Sequence, residues 1–170
     1  MLLGFGLLYV GAVLFLNGLW LHGKIEDREI AFINIVAGFA TLGVVIYWAF
    51  GPGATLGSIK GAALTLLFTA TYFWVAYNRF VAVDGRGLGW FSLFVAITTV
   101  PVALGGFATM QTTLDTWMAI NWVIWGVLWF MYFLLLALKK PILGATASFT
   151  LFTGIVTGWI PGYLILDGRL

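Results

Sequence analysis

The chain has 170 residues, of which 62% are hydrophobic, 18% aromatic and only 8% charged, for a net charge of +2. A soluble domain carries about 25% charged residues, so this composition belongs in a membrane, and its faint positive balance makes no nucleic-acid-binding stripe. The absence of cysteine removes disulfides, thiolate metal sites and a thiol nucleophile, and a single histidine, His22, excludes a multi-histidine metal centre.

The charged residues cut the chain into uncharged stretches at 1–23, 30–59, 61–78, 87–114, 116–138 and 141–166. About 20 apolar residues cross a hydrocarbon core, and runs such as Val123–Leu138 lack the two-residue alternation of a membrane barrel. The pattern predicts an all-α membrane protein, one domain over 1–170, with six transmembrane helices near 2–22, 30–50, 60–80, 88–110, 116–138 and 142–166. The first stretch has no basic leader before its apolar run, so it reads as a span and not as a cleavable signal.

The first helix carries Asn17 near its end, followed by the loop GKIEDRE (23–29); the second opens near Asn34 and ends at GPGATLGS (51–58). The third places Phe68 and Tyr72 at i, i+4, with Thr71 between them and Asn78 at its end. A loop around Arg79 and VDGRG (83–87) leads to the fourth helix, where Thr98, Thr99 and Pro101 predict a kink. After QTTLD (111–115), the fifth helix sets Trp122, Trp125 and Trp129 at i, i+3, i+7, one face of a helix that also holds Asn121 and Gly126. The sixth, after KKP (139–141), carries Thr153, Thr157 and Pro161, with Gly154 and Gly158 spaced for close helix approach. Consecutive helices divide into three hairpins, 1–51, 60–110 and 116–167.

Lys24, Arg28, Arg79, Arg86, Lys139 and Lys140 fall on the loops after helices 1, 3 and 5, against Lys60 and Arg169 on the other face. The positive-inside bias therefore predicts cytoplasmic odd loops and both termini outside. Arg79 and Arg86 read as orientation anchors. No Asp, Glu, Lys or Arg sits mid-span, which argues against ion pumps, proton-coupled carriers and voltage sensors. Ser92 and Ser148 have no buried His or Lys to activate them, so the expectation is a protein that is not an enzyme and needs no cofactor or metal.

Aromatic rings with sparse uncharged hydrogen-bonding groups suit a small, flat, neutral solute, because rings exclude ions while stacking on amides. The tryptophan stripe also fits plain packing or lipid contact. The asparagines fit either bonds across helices or a vestibule that handles solute amides. A channel is one reading. A Trp-rich membrane receptor that binds a hydrophobic ligand without transport is the rival.

Five stretches carry a family resemblance: LLYVGAVLFLNG (7–18), TYFWVAYN (71–78), WFSLFVAITTVPVA (90–103), WMAINWVIWGVLW (117–129) and GIVTGWIP (154–161). They resemble the small six-span urea and amide channels of the UreI/AmiS type. The resemblance implies a bacterial inner-membrane homo-hexamer with one pore per protomer, passing urea or short aliphatic amides. It implies that Phe68, Tyr72, Trp122, Trp125 and Trp129 line the pore, with Thr71, Asn17 and Asn78 as nearby polar positions. Two departures bear on mechanism. Thr153 stands where the family motif has Glu, so it can hydrogen-bond an amide but supplies no negative field. The acid-gated members carry long, His-bearing outer loops, whereas 51–58 and 111–115 are short and lack His; the expectation is a channel without acid gating by that route.

Overall fold

A computed structural model describes all residues, 1–170. Six helices long and apolar enough to cross a membrane make up the molecule: α1 (Leu2–Leu21), α2 (Ile30–Phe50), α3 (Leu56–Phe80), α4 (Arg86–Thr109), α5 (Thr113–Ala137) and α6 (Leu143–Leu166). Apolar side chains all round these helices leave large residues such as Phe39, Ile97 and Leu104 exposed on the outside of the bundle, as lipid or a neighbouring subunit requires.

Helices α3 and α5 start earlier than the charge map suggests, for a local reason. Thr55 accepts from the Ser58 amide while Ser58 Oγ accepts from the Thr55 amide, and Thr112 and Asp115 form the same reciprocal box at the start of α5. Each box satisfies amides that a helix start leaves without partners. Thr112→Ala is expected to cost about 1 kcal/mol of stability and to speed hydrogen exchange at the Asp115 amide, which loses its acceptor. Unaltered exchange at Asp115 would contradict the cap.

The helices pack most closely as α2 with α3, α4 with α5, and α6 with α1. These intimate pairs are offset by one helix from the hairpins drawn on the basic loops, and the third joins the two ends of the chain. Glycine explains the α1–α6 seam. A methyl at Gly4 would meet Ile165 and Gly162, one at Gly11 would meet the backbone of Gly158 and Trp159, and one at Gly18 would meet Leu151. From the other side, a Cβ at Gly154 would lie 2.6 Å from the Phe15 amide nitrogen, and one at Gly162 would lie 2.6 Å from that of Leu8. Lipid tails are as apolar as any side chain, so helix association in a membrane relies on such close backbone contact.

Helix α6 widens to π geometry over Gly154–Trp159 just before Pro161. Proline has no N–H to give the preceding turn, and a π turn leaves further carbonyls looking for donors. Helix α5 supplies them: Asn121 Nδ2 donates to Thr157 O at 3.1 Å, and Trp117 Nε1 donates to Val156 O at 3.1 Å. Proline 101 lies inside the continuous helix α4, where Thr98 and Thr99 hydroxyls donate to the carbonyls of Phe94 and Ala96.

Candidate functional site

The α5 stripe points into the bundle and meets Phe68 of α3. The Phe68 ring centre lies 4.6 Å from that of Trp129, 4.8 Å from Trp125, 6.1 Å from Trp122 and 6.4 Å from Tyr72. The three tryptophan contacts are edge-to-face, with interplanar angles of 64–80°, the arrangement that aromatic quadrupoles favour. Phe68 is thus the hub of a ring cluster at the centre of the apolar core.

Hydrogen bonds fix two of the indoles. Trp125 Nε1 donates to Thr157 Oγ1 at 2.8 Å, and that hydroxyl donates to the Thr153 carbonyl at 2.7 Å. Trp129 Nε1 donates to Thr71 Oγ1 at 3.3 Å, and Thr71 donates in turn to Leu67 O. The π turn of α6 therefore holds one wall ring, and α3 holds the other. A buried indole N–H without a partner would be costly; with these threonines, each ring is held in one orientation.

Three cavities run past the cluster in series. On the face that holds the termini, a cavity of about 230 Å³ is bounded by Thr41, Trp48, Phe68, Trp122 and Trp125 among others. Beyond Phe68 and Trp125 lies a space of only about 30 Å³ against Thr71, Tyr72, Trp129 and Tyr132, the share of one water molecule in the liquid. Tyr132 then borders a third cavity of about 100 Å³ on the face of the basic loops, which Asn17 and Asn78 also line. Phe68 and Trp125 wall both the first and second cavities, and Tyr132 walls both the second and third.

The structure thus gathers Phe68, Thr71, Tyr72, Trp125 and Trp129 around the narrow space, with Trp122 in the wall of the wide one. The Tyr72 hydroxyl is buried there without a hydrogen-bond partner. Asn17 lines the third cavity, but its amide is engaged. It donates to Asn34 Oδ1 at 3.2 Å and accepts from Asn34 Nδ2 at 2.7 Å, clamping α1 to α2. Asn121 bonds α5 to α6, as above. Asn78 is buried with a free Oδ1. Thr153 is brought to none of the three cavities; it is fully buried, and its hydroxyl has no partner.

Tyr132 and Thr157 belong to the site but not to the sequence reading of it. Tyr132 continues the α5 stripe by three residues beyond Trp129, a signal present in the spacing, and its hydroxyl lies 3.0 Å from Thr150 Oγ1. Thr157 had no such signal, because its partner comes from another helix. At the basic face, Asp84 opens α4 by accepting from the Arg86 amide at 3.0 Å. That amide bond, with the Arg86 side chain and Lys139 nearby, holds the Asp84 carboxyl below the usual carboxylate range. A depressed carboxyl contributes its stabilisation above the unfolded-state pKa and loses it as the pH falls through the folded value, so mild acid leaves this cap charged.

A bundle of membrane-spanning helices threaded by small aromatic-walled cavities, without mid-span charge, defines a membrane protein of the channel and transporter class. The chain matches the AmiS/UreI family transporter model over residues 2–169 and belongs to that family. It is 40% identical over 170 residues to a Mycolicibacterium smegmatis protein named as a transporter of amidate substrates, covering 98% of this chain and 77% of that one. It is 35% identical over 189 residues to the acid-activated urea channel of Helicobacter pylori, covering 96% of this chain and 97% of the channel. The fold agrees: the electron cryo-microscopy structure of the H. pylori urea channel in its closed state superposes with a TM-score of 0.85 at 36% identity, over 99% of both chains.

Proposed function

We propose that the protein is a passive channel for urea and short aliphatic amides, conducting past the Phe68–Trp125–Trp129 cluster. The observation that carries this reading is the series of cavities walled by rings whose polar edges are held by threonines. A planar neutral solute can stack on such walls and exchange hydrogen bonds with the free Tyr72 hydroxyl, whereas an ion would lose its hydration without a compensating charge. The family relatives named for urea and amidate substrates support the solute class.

The setting we infer is the bacterial inner membrane, with the basic loops in the cytoplasm and both termini outside. The distribution of Lys and Arg supports that orientation. A homo-hexamer fits the broad apolar groove between α4 and α5, which Ile97, Val100 and Val127 leave uncovered; the mass of the detergent-solubilised particle reads the assembly. Conduction involves no covalent chemistry.

The H. pylori relative is named as acid-activated. For this chain we infer conduction without acid gating through outer-loop histidine. The turns on the termini face, 51–55 and 110–112, hold no histidine, and His22 lies on the basic face, 3.2 Å from Ser148 Oγ. Stopped-flow light scattering on proteoliposomes, with urea, acetamide and glycerol at about pH 5 and about pH 7.5, tests the reading. Urea and acetamide entry well above empty liposomes and equal at both pH values is the expected result. Entry at acid pH alone would overturn the gating inference. Entry no faster than in empty liposomes would overturn the channel and favour a ligand-binding receptor.

A further inference from the structure

The basic-face cavity holds polar atoms that the aromatic slit does not explain. Asn78 is buried and its Oδ1 has no hydrogen-bond partner; the next residue, Arg79, has a buried Nε that is also unpartnered. Both residues line the same cavity of about 100 Å³. Asn17, which lines the same cavity, is satisfied by the amide of Asn34. Buried polar atoms in native structures have partners, and those that lack one need an explanation.

The guanidinium is anchored through a terminal nitrogen while its buried Nε–H stays without an acceptor. A terminal nitrogen of Arg79 bonds Asp27 Oδ1, Trp20 Nε1 donates to the same oxygen at 3.2 Å, and the guanidinium carbon lies 4.8 Å from the centre of the Trp20 ring. Carboxylate on one side and ring on the other fix the planar fork. Its Nε–H is then a charged donor with no intramolecular acceptor, and the lining of the same cavity includes Asn78, whose Oδ1 is an acceptor with no intramolecular donor. An orientation anchor would need only the charge.

We propose that this cavity is a docking site for a primary amide, in which Arg79 Nε–H donates to the solute carbonyl and Asn78 Oδ1 accepts from the solute N–H. The proposal rests on the amide-channel reading and adds a recognition step at its inner mouth, where a donor–acceptor pair receives amides that have passed the rings. A carboxylate satisfies Arg79 but offers Asn78 no proton. A tertiary amide has the same defect.

The test is a titration of the detergent-solubilised protein, following the arginine ¹⁵Nε–¹Hε resonances, with Arg79 assigned by the signal lost in Arg79→Lys. Acetamide should shift the Arg79 resonance and leave those of Arg28, Arg86 and Arg169 in place. N,N-dimethylacetamide, and acetamide on Asn78→Leu, should each need about tenfold more solute for the same shift, the loss expected for one hydrogen bond to a buried partner. Acetate should need as much again or more. An Arg79 resonance that stays still at acetamide concentrations saturating the wild-type flux, or that responds equally to acetate and acetamide, overturns the docking site. Proteoliposome flux is read in parallel and bears only on the channel: shift without flux keeps the site and removes the channel, and flux without shift does the reverse.

Discussion

Gly11→Val is expected to disrupt the bundle. A side chain at Gly11 meets the main chain of Gly158 and Trp159, and one at Gly158 meets the main chain of Gly11. Overpacking against side chains costs about 1–3 kcal/mol, but here no flexible side chain can move aside, so the two helices must separate along the seam that runs from Gly4 to Gly18. A melting temperature lower by on the order of 10 °C follows, at about 2–4 °C per kcal/mol for a chain of this size. Gly43→Ala and Gly105→Ala are the controls, because nothing lies within 4 Å of a Cβ at either position. Thermal unfolding in detergent measures the difference. A Gly11→Val protein that melts within a few degrees of the parent would mean that α1 and α6 can reach an equivalent packing farther apart.

The second large effect is on selectivity. Phe68→Ala removes the ring that touches Trp122, Trp125 and Trp129 and separates the wide cavity from the narrow one. A phenylalanine truncated in a core costs about 3–5 kcal/mol, so the variant should be visibly less stable. Its two neighbouring indoles remain tied to Thr157 and Thr71, which keeps them from closing the gap. On the channel reading, the ratio of urea to glycerol flux should then fall by about tenfold, since one ring-sized opening relaxes discrimination by on the order of one such factor. Flux measured on equal amounts of folded protein checks this. An unchanged ratio would show that the discriminating constriction lies elsewhere, at Tyr72 or Tyr132.

Much of the architecture follows from where charges are missing, because a membrane tolerates so few of them. The stripe of Trp122, Trp125 and Trp129 is equally legible, since α5 keeps regular 3.6-residue turns until Tyr132. Helix starts were less so: Thr55 and Thr112 cap α3 and α5 through side chains that read as ordinary loop residues. The seven-residue spacing of Gly4, Gly11 and Gly18 is as visible as the Gly154–Gly158 pair, yet nothing within α1 names α6 as its partner. The asparagines look alike in sequence. Only the fold separates Asn17 and Asn34, which satisfy each other, from Asn78, which stays open.

Thr157 illustrates a different limit. A period of 3.6 residues cannot be carried through Gly154–Trp159, where the turns are wider, so the face on which each α6 residue lands is not given by counting. The same wide turns place Thr157 against Trp125. A helix distortion thus supplies part of the site, and no single-helix pattern announces it.

The pairing of α6 with α1 also has a consequence for how the molecule is made. Synthesis proceeds from the amino terminus, so α1 is in the membrane while its closest neighbour has yet to be translated. Its glycine face, shaped for backbone and poor in side-chain area, has no equivalent surface to meet among α2 to α5. The bundle therefore closes as a ring whose last segment locks the first, and every earlier intermediate carries an open seam. A chain that stops short of α6 lacks one helix in six, but it leaves α1 without the partner that its sequence is built around.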